Sequence, residues 1–104
     1  MSNDVLLQRI RCVLERSHGT RLRGVVLYGS EARGDAGPDS DIDVLVLLDR
    51  VTDYGRDLRA NIDALYELSS ELGRRISAKP VDAQQYDSVD CPLYRHARQE
   101  GVAA

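Results

Sequence analysis

Apolar and polar residues along this chain follow two periods, one helical and one extended. In residues 3–18, Leu6, Ile10, Val13 and Leu14 recur at helical spacing, with Arg9, Arg11, Glu15 and Arg16 on the wet side. Asn3 can cap this helix and Gly19 can end it. Gly24 to Tyr28 is a short aliphatic run bounded by glycine, which predicts a buried strand. Asp41 to Leu48 predicts a second, stronger strand. Between them, Gly, Ala, Asp, Ser and Pro predominate; the segment can start a short helix at Ser30 and must loop through 35–39. Residues 54–73 read as a long helix, with Leu58, Ile62, Leu65, Leu68 and Leu72 as its apolar stripe and Gly73 at its end. Ile76 to Val81 predicts a third, weaker strand. Pro80 cannot donate a ladder hydrogen bond, so this strand lies at an edge or ends there. Asp82 can cap a turn of helix over 83–88. Pro92 suits the first turn of a last helix that runs to Glu100 and stops at Gly101. The expected order is α-β-α-β-α-β-α-α.

The length, 104 residues, fits one domain over 1–104 with one modest core. With five Tyr and no Phe or Trp, that core must be built from Leu, Val, Ile and Ala. The net charge of −3 argues against general nucleic-acid binding, which calls for a basic surface. Cys12 and Cys91 are too few for a disulfide framework and read as free thiols of a reducing compartment. No charged-then-apolar leader opens the sequence, and no apolar run is long enough to span a membrane. The expected location is the cytoplasm.

The chemistry is concentrated in Gly29-Ser30-Glu31-Ala32-Arg33-Gly34-Asp35 and Ser40-Asp41-Ile42-Asp43. Strand residues i and i+2 share a face, so Asp41 and Asp43 are expected side by side, ~7 Å apart by strand rise. Two carboxylates at the head of a buried strand are costly without compensation, and a hard divalent cation supplies it. Gly29 lets backbone approach a ligand closely, and Ser30 offers a hydroxyl and an amide where a helix begins. Arg33, one turn on, can add a guanidinium to the same anion, and Ser40 adjoins the aspartates as a further nucleotide-binding candidate. Metal-binding aspartates beside a phosphate turn make a site for a nucleoside triphosphate.

With Gly-Ser-x10-Asp-x-Asp in a strand–turn–helix–strand context, the chain resembles the minimal nucleotidyltransferases of the DNA polymerase beta superfamily. These small proteins are often encoded beside a HEPN-domain partner in toxin–antitoxin pairs. The resemblance is most specific over Val26 to Asp49 and weaker from Pro92 to Gly101. It implies an α+β fold, a small mixed β-sheet with helices packed against it. It implies that Gly29 and Ser30 contact the triphosphate and that Asp41 and Asp43 bind Mg²⁺, two ions in the usual arrangement. Arg33 and Gly34 match the usual extension of the Gly-Ser motif. The implied reaction moves a nucleoside monophosphate, AMP from ATP, onto a hydroxyl and releases pyrophosphate. In the toxin–antitoxin pairs the acceptor is a tyrosine of the HEPN toxin.

One departure stands out. Active members of the superfamily usually carry a third carboxylate on the third strand, but Ile76-Ser77-Ala78-Lys79-Pro80-Val81 has no acid. Asp82 is the first acid beyond it: a possible third ligand, with helix capping as its ordinary role. Without that carboxylate, nucleotide binding survives while transfer slows, since general bases contribute about 10²–10⁴-fold. Two readings therefore stand: a transferring antitoxin, or a nucleotide-binding antitoxin that neutralises its partner by contact. An antibiotic-modifying enzyme is disfavoured because that class generally adds an acceptor-binding domain. A partner protein or a second copy of the chain is expected to complete the cleft. His18 and His96 read as surface residues, Asp35 and Asp39 as turn residues. Tyr54, Tyr66, Tyr86 and Tyr94 read as half-buried packing, and Arg74-Arg75 as a solvated helix end.

Overall fold

A computed structural model describes residues 2–104. Helix α1 spans Asn3–His18 and a 3₁₀ turn, Gly19–Arg21, leads into strand β1, Leu22–Tyr28. Then come α2 (Ser30–Arg33), β2 (Ile42–Leu48), α3 (Tyr54–Leu72) and β3 (Ile76–Asp82). Helices α4 (Ala83–Ser88) and α5 (Pro92–Glu100) precede a two-residue strand β4, Val102–Ala103. The expected order is therefore present, with β4 added. The cap of α1 is Ser2, whose hydroxyl accepts from the Val5 amide; Asn3 instead reaches across to the Glu31 carbonyl.

The sheet order is β3-β2-β1-β4. β1 pairs antiparallel with β2 and β4, and β2 pairs parallel with β3. It is a mixed sheet in an α+β domain, with helices on both faces. One face carries Val25, Leu27, Ile42, Val44, Val46 and Leu48, covered by Leu6, Ile10 and Leu14 of α1 and Leu65 and Leu68 of α3. The other carries Val26, Leu45 and Val81, covered by Tyr86 of α4 and Ala97 of α5. The alternation of side chains along each strand sorts these residues to the two faces.

β3 lies at an edge, as Pro80 requires. The Ile42 amide donates to the Arg75 carbonyl across the parallel register, so Ser77 and Lys79 continue that ladder while Ile76, Ala78 and Pro80 turn their backbone outward. The outward Ala78 carbonyl accepts from the Asn61 side chain at 3.0 Å, and Pro80 has no amide hydrogen.

The expected stripe on α3 needs correction. Leu65 and Leu68 are buried, but Ile62 is 55% exposed, and Asp57 (2%) and Asn61 (0%) take the inner face. Each has a tailored partner. Arg21 forks onto both Asp57 carboxylate oxygens at 3.0 and 2.9 Å, and Asn61 also meets His18 Nε2 at 2.6 Å. His18 is thus a half-buried structural residue rather than a surface one. Tyr54 and Tyr66, expected half-buried, are exposed: Tyr66 falls off the face that Asn61 and Leu65 share, and Tyr54, though on that face, is the first residue of the helix. No helix among the described residues is long and apolar enough to cross a membrane.

Candidate nucleotide site

The site forms where β1 ends and β2 begins. Tyr28, the last residue of β1, lies opposite Asp43 in the antiparallel register. The chain then turns at Gly29, with φ 76° and ψ −155°, a conformation essentially restricted to glycine. A Cβ at this position would lie 2.9 Å from Asp43 Oδ2. The turn and the carboxylate are therefore in direct apposition, and a Cβ at Gly29 would make the Asp43 carboxylate shift. Ser30 opens α2, whose one turn closes through Arg33 N–H to the Gly29 carbonyl and Asp35 N–H to the Ser30 carbonyl, each at 3.1 Å.

Arg74 ties the intervening loop down. Its Nη2 donates to Glu31 at 2.8 Å and its Nε to the Ser40 carbonyl at 2.9 Å. Both partners of the ion pair are mostly buried, so Arg74 is not the solvated helix end expected from sequence. The Ser40 hydroxyl accepts from the Gly37 amide at 3.0 Å, shaping the turn just before Asp41. Ser40 thus supports the loop, and its side chain is already engaged.

Asp41 is exposed and precedes β2, which begins at Ile42 rather than at Asp41. Asp43 is half-buried inside the strand. Burial pushes its carboxyl above the usual carboxylate range; Lys79 and Arg75 pull it back, and Asp41 raises it further. Such a carboxylate gains most from a bound cation. Arg33 points to Asp35 at 3.3 Å and to Glu100 of α5 at 3.4 Å. Exposed pairs of this kind are screened by solvent and weak, so the guanidinium is free to exchange them for an anion.

Asp82 is not brought to the site. In the β2–β3 register it lies opposite Leu48, whereas Ser77 lies opposite Asp43. Five residues of strand separate the two positions, about 16 Å by strand rise. Asp82 instead caps α4, accepting from the Gln84 amide at 3.0 Å, and its other oxygen accepts from the Val51 amide at 3.3 Å. The third-ligand reading of Asp82 is corrected on that geometry. Among the described residues no three acids, histidines or cysteines gather as a metal cluster. Asp41 and Asp43 together fit one divalent ion completed by phosphate oxygens.

Two site residues carry no signal in the sequence. Lys79 Nζ donates to Tyr28 Oη at 3.1 Å, across the face that carries Asp43. That bond raises the proton affinity of Lys79 above the ordinary lysine value, so it stays cationic. Only the β2–β3 register reveals this neighbourhood, and register is a long-range property.

The family profile described as "Nucleotidyltransferase domain" matches residues 7–97. The chain belongs to the nucleotidyltransferase domain family. A "putative protein adenylyltransferase" of Methanocaldococcus jannaschii is 34% identical over 58 residues, which cover 56% of this chain and 58% of that relative. The match thus spans little more than half the relative's length. Among solved structures, a toxin–antitoxin complex with AMP-PNP superposes with a TM-score of 0.65 at 22% identity, covering 92% of this chain and 70% of the other. A Shewanella oneidensis complex, a tri-AMPylated HEPN toxin with its MNT antitoxin, gives 0.63 at 19% identity, over 96% and 69%. A "putative minimal nucleotidyltransferase" is 28% identical with a TM-score of 0.54, over 98% and 95%. The first two likenesses, at such low identity, are likenesses of fold. The nucleotidyltransferase fold expected from the sequence is thereby established.

Proposed function

We propose that this nucleotidyltransferase domain transfers AMP from ATP, with Mg²⁺, to a tyrosine hydroxyl of a HEPN toxin, and so acts as an antitoxin in the cytoplasm. The observation that carries the reading is the close apposition of the Gly29 turn and the half-buried Asp43 carboxylate at the end of β1. The names of the structural neighbours, toxin–antitoxin complexes with AMP-PNP or with an AMPylated HEPN toxin, support the choice of donor and partner.

In this reading Gly29 and Ser30 hold the triphosphate, and Arg33 leaves Asp35 and Glu100 to join it. Ser40, held by Arg74, fixes the loop from which Asp41 projects. Asp41 and Asp43 hold the metal ion, which when bound neutralises phosphate charge and orients the α-phosphoryl group. The acceptor oxygen forms a bond to the α-phosphorus while the bond to the leaving pyrophosphate breaks. The acceptor proton passes to water, since no carboxylate faces Asp43 from β3. Ser77 in that place favours a second reading, a nucleotide-loaded antitoxin that acts chiefly by contact.

The test is to incubate the chain with a candidate HEPN-domain partner, α-labelled ATP and Mg²⁺. The first reading expects label on a toxin tyrosine, lost in Asp43→Asn. Tight complex formation with nucleotide bound but no label would replace it with the second. Absence of any nucleotide binding would sink both.

A further inference from the structure

The face of the sheet that carries Asp43 also carries a lysine. Tyr28 on β1 and Ser77 on β3 are the two lateral neighbours of Asp43. Lys79 lies two residues beyond Ser77, on the same face and opposite Leu45. Its ammonium donates to Tyr28 Oη at 3.1 Å and sits 5.8 Å from the ring centroid. Tyr28 and Lys79 belong to strands on either side of β2, so their contact spans two strand spacings of about 4.8 Å each. The side chain must therefore lie across β2, over the Asp43–Leu45 stretch. A lysine at a sheet edge ordinarily extends its charge into water. This one is half-buried, bonded and laid inward beside a carboxylate.

The charge count of the site differs accordingly from a two-ion arrangement. Two divalent ions need carboxylates enough to offset their mutual repulsion. This site has Asp41 and Asp43, no three-ligand cluster among the described residues, and a fixed positive charge. We propose that the site takes one divalent ion together with the nucleoside triphosphate, and that the Lys79 ammonium, held in place by Tyr28, supplies the second positive charge directly to the phosphates. The proposal rests on the nucleotide-binding reading above and deepens it. Lys79 is then a phosphate-binding residue and Tyr28 a positioning residue. It also implies that the chain retains measurable affinity for a triphosphate when no metal is present.

The experiment counts ions and measures metal-free binding. Mn²⁺ replaces Mg²⁺, and a non-hydrolysable ATP analogue saturates the protein. Electron paramagnetic resonance of free Mn²⁺ then gives the ions bound per complex. One ion is expected for the parent chain, and two for Ser77→Asp combined with Lys79→Ala. Two ions in the parent would overturn the proposal and leave nucleotide binding intact; no binding of analogue or ion would overturn both. In chelator, calorimetry is expected to show analogue affinity falling about tenfold in Lys79→Met and about threefold in Tyr28→Phe, with Lys79→Arg restoring most of it. Equal metal-free affinity in the parent and Lys79→Met, both folded by circular dichroism, also overturns it.

Discussion

Replacing Gly29 by alanine separates two effects that this position combines. The first is backbone strain. At φ 76° and ψ −155° a side chain is disfavoured by about 1–3 kcal/mol. The second is contact. The new Cβ would stand 2.9 Å from Asp43 Oδ2, closer than carbon and oxygen pack without displacement. Forced overpacking of this kind costs about 1–3 kcal/mol. Gly19 provides the control: at φ 60° and ψ −132° it occupies a similar backbone region, but nothing lies within 4 Å of a Cβ there. Gly19→Ala therefore reports the strain alone. In a domain of this size 1 kcal/mol moves Tm by about 4–8 °C. Taking the lower end, about 4 °C per kcal/mol, Gly19→Ala is expected to lower Tm by about 4–12 °C, and Gly29→Ala, with both effects, by about 8–24 °C. The chemical readout is sharper. Displacing Asp43 is expected to weaken Mn²⁺ binding in Gly29→Ala at least tenfold, whereas Gly19→Ala leaves it unchanged. Thermal melts followed by circular dichroism and Mn²⁺ titration calorimetry measure both. If Gly29→Ala destabilises no more than Gly19→Ala and binds Mn²⁺ as the parent does, the apposition of turn and carboxylate does not govern the site.

Three further outcomes follow from packing and charge. Asn61→Ala removes the partner of the Ala78 carbonyl and of His18 from a fully buried position, so urea unfolding is expected to show a loss of about 2–3 kcal/mol with unchanged m; a loss under 0.5 kcal/mol would contradict it. The Arg21 bond holds the Asp57 carboxyl below its ordinary range, so the unfolded chain takes up the proton first. Its stabilisation is complete above about pH 5 and is lost as pH falls through about 4 toward the lowered folded value. Asp57→Asn is expected to be less stable than the parent by about 1–3 kcal/mol at pH 7, with the gap narrowing on acidification; a gap that stays constant from pH 7 to pH 3 would refute the assignment. At Gly101 a Cβ would run into the Ala97 carbonyl and lie 2.7 Å from Val26 Cγ1. Gly101→Ala is expected to undock β4, seen as lost hydrogen-exchange protection at the Val25 amide, which bonds the Ala104 carbonyl at 2.8 Å.

What the sequence made legible was whatever is encoded locally. Gly29, Ser30, Asp41 and Asp43 sit within 15 residues, and strand parity alone relates the two aspartates. Pro80 pointed to an edge strand or a strand end because its missing amide cannot serve a central ladder, and the edge is what the sheet order shows. The inner face of α3 was misread because Asp57 and Asn61 are buried by partners 36 and 17 residues away, Arg21 and the Ala78 carbonyl. A polar residue whose partner is distant looks like a surface residue in any local pattern. Asp82 invited a metal role by its place just after a strand, and only the β2–β3 register shows that it sits at the wrong end. Strand β4 is two residues long, too short to leave a period, and exists because β1 offers it a ladder. Lys79 stayed silent for the same reason as Asp57: its meaning depends on Tyr28, 51 positions away.

The outward side of β3 has a further consequence. An open sheet edge is a template on which other chains can polymerise. Here Asn61 occupies one outward carbonyl and Pro80 removes one outward amide, which interrupts the template in the middle of the strand. A partner arriving at this edge must therefore be recognised by side chains and not by adding a strand. The protection is also conditional. Asn61 lies in the middle of α3 and is steadied by His18 at the end of α1, so loosening of α3 from the sheet, begun where the end of α1 opens, frees the Ala78 carbonyl. Aggregation of this small domain on mild heating is expected to begin from that partly opened form, well before the sheet itself comes apart.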